Sequence, residues 1–263
     1  MSGMRQTLSE TELLVRTLAV GYSSETVLEH HSHDWGQLVY GSEGVMTVQT
    51  EEGTWVVPSQ RAVWIPGGIG HSVAMSGWVS MRTLYLAPRL VGALPRRCCV
   101  ISVPPLLREL ILHTVAQGAL RRDVPEHRRL VDFLLDQLCA LPAVPLELPM
   151  PRDARALRVA RRLRERPADT APLEQLARAA GASRRTLERL FRKETGMSFG
   201  RWRQQARMLE AMRCLARGEP VTSTALEVGY ESPSAFIAAF SQLLGTTPGR
   251  YYRAGGEPDK ADR

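Results

Sequence analysis

The sequence predicts a multidomain protein, a β-barrel followed by an all-α half, and three observations carry that prediction. Short runs rich in Val, Trp and Tyr, punctuated by Gly and Pro, fill the region from Thr17 to Pro88. After Val103 the apolar residues change to helical spacing. Charge is divided unevenly, with 12 basic and 14 acidic groups in residues 1–151 against 22 and 13 in residues 152–263. The net charge of +7 over 263 residues therefore conceals a slightly acidic half and a strongly cationic one. Such a cationic half either meets a polyanion or serves as a solubilising surface.

Several classes are excluded at the outset. No run approaches the roughly 18 apolar residues of a membrane span. Glu10 and Glu12 precede a short apolar stretch, an arrangement unlike a secretory signal. Cys98 and Cys99 are adjacent, Cys139 and Cys214 lie in helical sequence, and no pair has CxxC spacing. Reduced thiols in a cytoplasmic protein are the expectation.

The strands expected in the first region are Gln37–Tyr40, Val45–Thr50, Thr54–Val57, Ala62–Ile65, Ser72–Ser76 and Val79–Leu86, with turns at Gly41, Gly44, Gly53, Pro58, Pro66, Gly68 and Gly77. A spacing of about ten residues with no helical period indicates an all-β barrel or sandwich. Four of the six histidines fall here: His30, His31, His33 and His71. Residues two apart on a strand face the same way, so His31, His33 and Gln37 share one side and His71 opens another strand. Three imidazoles and an amide oxygen converging on a barrel interior suit a divalent transition metal. They equally suit a metal-free pocket for an effector, or a purely structural role.

The pattern His31-x-His33-x3-Gln37-x6-Gly44, followed by Pro66-x-Gly68-x2-His71, resembles the two cupin motifs. The resemblance implies a cupin barrel whose metal ligands map onto His31, His33, Gln37 and His71. Gln37 stands where the family usually carries Glu, which removes a negative charge from the site, and the glycine that often precedes the first His is missing.

Beyond the barrel, Pro104 and Pro105 introduce a helix with Leu106, Leu107, Leu110, Ile111, Thr114 and Val115 on its apolar face. A second helix after Pro125 carries Leu130, Val131, Leu134, Leu135, Leu138 and Leu141, with Gly118 to Val124 as the turn between them. These faces belong either to the core or to a homodimer interface. Four prolines from Pro142 to Pro151 then predict a short, stiff linker. The expected divisions are a barrel over 1–103, a helical connector over 104–141, the linker over 142–151, a DNA-binding domain over 152–254 and a flexible tail over 255–263.

The cationic half contains a structural repeat. Leu173, Leu176, Ala177 and Gly181 recur 48 residues later as Val221, Thr224, Ala225 and Gly229; Ser183, Leu187, Phe191 and Gly196 recur 49 later as Ser232, Phe236, Phe240 and Gly245. Each copy reads helix, Gly turn, Ser N-cap, helix and closing Gly, the helix-turn-helix layout. The residues Ser183-x2-Thr-Leu-x-Arg-x-Phe191, Gly196-Met-Ser-Phe, Trp202-Arg-x3-Arg207, Ala225-x2-Val-Gly-Tyr-x-Ser232-x-Ser-Ala-Phe236-x3-Phe240 and Gly245-x-Thr-Pro-Gly-x-Tyr251 resemble the AraC/XylS-type regulators. With the cupin-like half, the resemblance covers nearly the whole chain. It implies a transcription regulator, activator or repressor, in which the barrel senses a small molecule or metal and the helices bind double-stranded DNA. RNA polymerase is a partner if it activates.

The two recognition helices differ in their chemistry. The first presents Arg184, Arg185, Glu188, Arg189 and Arg192 outward, with side chains that pair well with guanine and cytosine edges. The second offers Ser232, Ser234, Ala235 and Ala238, so the first unit is expected to carry most of the base readout. Trp202 and Met208 on the intervening helix are expected in the core, while Arg201, Arg203 and Arg207 are candidates for phosphate contacts. No GxSxG, P-loop or HExxH motif is present, so no catalytic residue is assigned. The rival reading is a cupin metalloenzyme with an accessory DNA-binding tail.

Overall fold

The structure is a computed structural model that describes residues 12–144 and 146–253. The expected tail at 255–263 lies outside the described residues. The first half is built from β1 (Leu13–Tyr22), β2 (Val27–His31), β3 (Gly36–Gln49), β4 (Gly53–Pro58), β5 (Arg61–Ile65), β6 (His71–Leu86) and β7 (Cys99–Ser102). Next come α1 (Pro105–Ala116), β8 (Ala119–Arg121), α2 (Pro125–Cys139), β9 (Ala143–Val144) and β10 (Glu147–Pro149). The helical half comprises α3 (Ala154–Glu165), α4 (Leu173–Ala179), α5 (Arg184–Thr195), α6 (Phe199–Ala216), α7 (Val221–Glu227), α8 (Pro233–Leu244) and α9 (Pro248–Arg253).

The strands form one antiparallel sheet centred on β3, which pairs with β4, β5 and β6. Side-chain alternation divides its two faces. Val39, Val63, Ile65, Val73 and Met81 join one cluster, whereas Leu38, Tyr40, Trp64, Leu84 and Leu86 pack with Leu107 and Ile111 of α1 and Val131, Leu134 and Leu138 of α2.

Four sequence expectations change here. Gln37–Tyr40 and Val45–Thr50 are one strand, because the register shifts at Gly41, Glu43 and Val45 bend the ladder without ending it. Ser72–Ser76 and Val79–Leu86 are likewise one strand through Gly77 at φ +74°. The proline-rich linker is no free connector: β9 pairs with β7 and β10 with β4, so the segment closes onto the sheet. Prolines lack an N–H, but Pro149 sits at the end of its strand, where that donor is dispensable. The turn expected between α1 and α2 also contains β8, paired with β1.

In the helical half the local signals act as expected. Ser183 and Ser232 accept backbone N–H bonds from Thr186 and Ala235, and Gly196 and Gly245 close α5 and α8 in the left-handed region. Helix α6 then lies against the barrel. Trp202 Nε1 donates to the Pro149 carbonyl at 2.7 Å, Gln205 Nε2 to the Glu147 carbonyl at 3.2 Å, and Arg213 Nε to Thr47 Oγ1 at 2.9 Å.

At the far end of α6, a Cβ added to Gly77 would lie 2.4 Å from the Ala216 carbonyl oxygen. Positive φ and this close approach both demand glycine there. Gly77→Ala is therefore expected to cost about 1–3 kcal/mol, read as a lower urea midpoint at an unchanged m-value.

Candidate functional site

Two regions concentrate functional chemistry, and the first is the histidine cluster. Strand pairing sets His31 opposite His71, and His33 follows β2 into the turn before β3. Ring centroids of His31 and His71 are 4.4 Å apart, those of His33 and His71 5.2 Å. One ring nitrogen of each of the three lies within 4.8 Å of those of the others.

Every Nδ1 is committed: His31 to Glu29 O at 2.7 Å, His33 to Trp35 O at 2.7 Å and His71 to Ile69 O at 2.9 Å. A carbonyl only accepts, so each Nδ1 carries a proton and Nε2 is the nitrogen each ring has left for another partner. His71 is fully buried and its Nε2 has no hydrogen-bond partner among the described residues. Burial, with the neighbouring imidazoles, depresses its pKa to about 4 despite the Ile69 bond that favours the charged form.

Gln37 Oε1 stands 3.0 Å from His33 Nε2, and Gln37 Nε2 donates to Tyr85 OH at 3.2 Å. Two acceptors at 3.0 Å repel. A cation between them, a half-turn of the amide with Tyr85 then donating to Oε1, or a second ring proton on His33 donating to Oε1 relieves the clash. His31, His33, Gln37 and His71 are thus brought together as the sequence spacing suggested. The chemistry of the donor set fits a divalent transition metal. The site lies in a wall of graded exposure, from buried His71 and Gln37 to exposed His31.

Tyr85 was missed by sequence reasoning. It packs edge-on against His33 at 5.2 Å and meets Gln37 through the β3–β6 register. No motif signals a partner 48 residues away. Its parity with His71 along one long strand was the available clue.

The second region is the outer face of the helical half. In α5, Leu187, Leu190 and Phe191 are buried, while Arg184, Arg185, Glu188, Arg189 and Arg192 are exposed. Arg184 is not free: it bonds Glu188 at 2.9 Å and Glu174 of α4 at 2.5 Å. Arg185, Arg189 and Arg192 have no ion pair among the described residues. In α8, Phe236 and Phe240 face inward, Ser234, Ala235 and Ala238 are exposed, and the Ser232 hydroxyl is engaged as the N-cap.

Helix α6 assigns its arginines differently from the sequence expectation. Arg203 donates to the Ala171 and Asp169 carbonyls, and Arg207 to the Pro167 carbonyl at 3.1 Å. Both therefore stitch the loop between α3 and α4 onto α6, leaving Arg201 exposed. Burial and the neighbouring Arg207 lower the pKa of Arg203. The Arg207 guanidinium also closes over Gly229, where a Cβ would meet it at 3.0 Å and Ala168 Cα at 2.9 Å. The helix-turn-helix turn thus needs glycine for space as well as for its φ of +85°. Arg203→Ala should destabilise the fold by about 1–3 kcal/mol by orphaning these carbonyls. Arg201→Ala should stay within about 0.5 kcal/mol, both measured by urea unfolding.

Comparison with known proteins adds to this geometry. Residues 14–199 match the family described as AraC-like ligand binding domain, and residues 176–254 match a helix-turn-helix domain family. The chain is 38% identical over 221 residues to the HTH-type transcriptional regulator NimR of Escherichia coli, covering 84% of this chain and 81% of that one. Among solved structures, the DNA-binding domain of AdpA in complex with a target DNA is 34% identical, over 39% of this chain and 93% of that one, at a TM-score of 0.37. Fatty-acid-bound ToxT from Vibrio cholerae is 12% identical over 94% of this chain and 97% of that one, at a TM-score of 0.38.

Proposed function

The chain belongs to the AraC family of DNA-binding transcription regulators, with an AraC-like ligand-binding domain, and on that premise we propose how its parts divide the work. The two helix-turn-helix units enter successive major grooves of promoter DNA, and α5 carries most of the base readout. The observation that supports this is the contrast between the recognition helices. Arg185 and Arg189 stand exposed on α5 without ion pairs among the described residues, whereas α8 exposes only Ser234, Ala235 and Ala238 near its start. Guanidinium groups bond guanine bidentately, and small side chains contact thymine methyls or phosphate. Arg192 serves the phosphates beside the groove. Arg184 and Glu188 hold each other until a base edge competes for them.

The barrel wall carrying His31, His33, Gln37 and His71 is the effector pocket. Those four residues would hold a divalent transition metal, which supplies a cross-link between β2, β3 and β6 rather than a reaction. A small polar effector hydrogen-bonded to the same Nε2 atoms is the second reading, favoured by the missing carboxylate at Gln37. The effector must bind one arrangement of the DNA-binding units more tightly than another to have any effect. Leu106 and Phe133, 54% and 42% exposed on α1 and α2, support a homodimer through the connector. No helix among the described residues is long and apolar enough to cross a membrane, and action in the cytoplasm follows from the DNA partner.

Arg189→Ala should weaken promoter binding by roughly 5- to 150-fold, the equivalent of about 1–3 kcal/mol, and Ser234→Ala by clearly less. Equal losses in a mobility-shift titration would refute the asymmetry. If six to ten phosphates are contacted, affinity should fall about 10³–10⁵-fold between 50 and 200 mM salt, and a flat response would sink the DNA reading. For the pocket, calorimetric titration of Zn²⁺ into untagged, chelator-treated protein should give one saturable site that His71→Ala abolishes. No heat change at the wild-type site would leave the metal-free effector reading standing.

A further inference from the structure

The outer face of the sheet holds a cavity, on the face opposite the histidine wall by strand parity. It measures about 230 Å³ and lies where the end of α2 crosses β5 and β7. Leu38, Trp64 and Ile101 form its floor, Leu138 and Leu141 its roof, and the thiols of Cys99 and Cys139 flank it. None of the described residues that line it is charged. The Trp64 indole N–H is already spent on the Pro95 carbonyl at 2.8 Å, and burial raises the Cys99 pKa and keeps that thiol neutral. The rim, with Ala93, Pro95, Cys139 and Ala143, is exposed and provides an entry.

The cavity opens to solvent at this rim, so a small molecule can reach its apolar floor without unfolding of the sheet. An apolar cavity of about 150 Å³ already suffices for benzene. We propose that this cavity is a second ligand site, for a compact neutral aromatic molecule of one ring or two small fused rings. Burial of the ring against Trp64 and the leucines supplies the affinity. A charged ligand would lose its hydration with no partner to replace it.

The position also gives the site a route to α6. Ala143 on the rim begins β9, which pairs with Ile101 of the floor. A few residues on, the Glu147 and Pro149 carbonyls receive Gln205 and Trp202 of α6. A ligand that repositions the end of α2 therefore acts on the strand that seats the DNA-binding half. This consequence rests on the regulator reading; the site itself does not.

Cys139 reports on the cavity directly, because Cys98, Cys99 and Cys214 are buried and it alone of the four is exposed. With toluene as the probe, maleimide labelling of Cys139 in the full-length protein should slow several-fold and saturably. Filling the cavity with Leu138→Trp, or capping its rim with the milder Ala93→Leu, should remove that protection, while His71→Ala should retain it. Labelling at an unchanged rate up to the solubility limit of toluene, or protection that survives both filled variants, would overturn the site. Promoter affinity is read separately. A toluene-dependent shift lost in Ala93→Leu supports the coupling, and protection without any shift removes the coupling and leaves the site in place.

Discussion

The indole of Trp202 is fully buried where three parts of the molecule meet. Its N–H holds the Pro149 carbonyl of β10, and β10 is bound edge-on to β4 of the barrel. Its ring packs against Phe191, the inward anchor of the first recognition helix, at 5.3 Å between centroids. Phe199 closes the same cluster from the start of α6, 5.2 Å from Phe191. A single large side chain with one donor thus ties the barrel, the proline-rich segment and α5 into one packed body. Aromatic groups suit this role because they bury much apolar area and fix direction through one polar atom. The placement of the Arg185 and Arg189 side chains follows from it, since the face that α5 buries determines the face it offers.

The histidine wall rests on a different constraint, the backbone carbonyls of Glu29, Trp35 and Ile69. Each fixes one imidazole in the same tautomer. Orientation by a second ring nitrogen is what separates a prepared set of donors from histidines that merely lie close together. Because these acceptors are main-chain atoms, the arrangement depends on the strand ends and the turns between them. Gln37 and Tyr85 extend it inward through the β3–β6 register, so the polar chemistry reaches from the exposed edge to the buried wall.

Charge in the helical half has two uses that a count cannot separate. Arg203 and Arg207 are half-buried and serve loop carbonyls, while Arg184 is held by two carboxylates. Arg185, Arg189, Arg192 and Arg201 stay at the surface. The excess of positive charge beyond residue 152 is therefore partly architectural, and the exposed remainder includes Arg185, Arg189 and Arg192 on α5 and Arg201 at the start of α6.

Local physics made much of this legible in the chain itself. Ser183 and Ser232 as caps, Gly196 and Gly245 as left-handed closures, and the 48- and 49-residue offsets of the repeat depend only on neighbours a few positions away. The common side of His31, His33 and Gln37 follows from strand alternation in the same way. Long-range register was not legible. That Gly44 and Gly77 bend strands instead of ending them, that Pro142–Pro151 closes onto the sheet, and that Tyr85 reaches Gln37 are all decided by pairings across many residues. So is the fate of Arg203, whose side chain could meet solvent or a buried carbonyl equally well on helical periodicity alone. The uneven charge of the two halves was written in the sequence, but which arginines remain free to act was settled only when the α3–α4 loop packed onto α6. The reason is that a backbone carbonyl removed from water must find a donor, and only the tertiary structure brings that donor within reach.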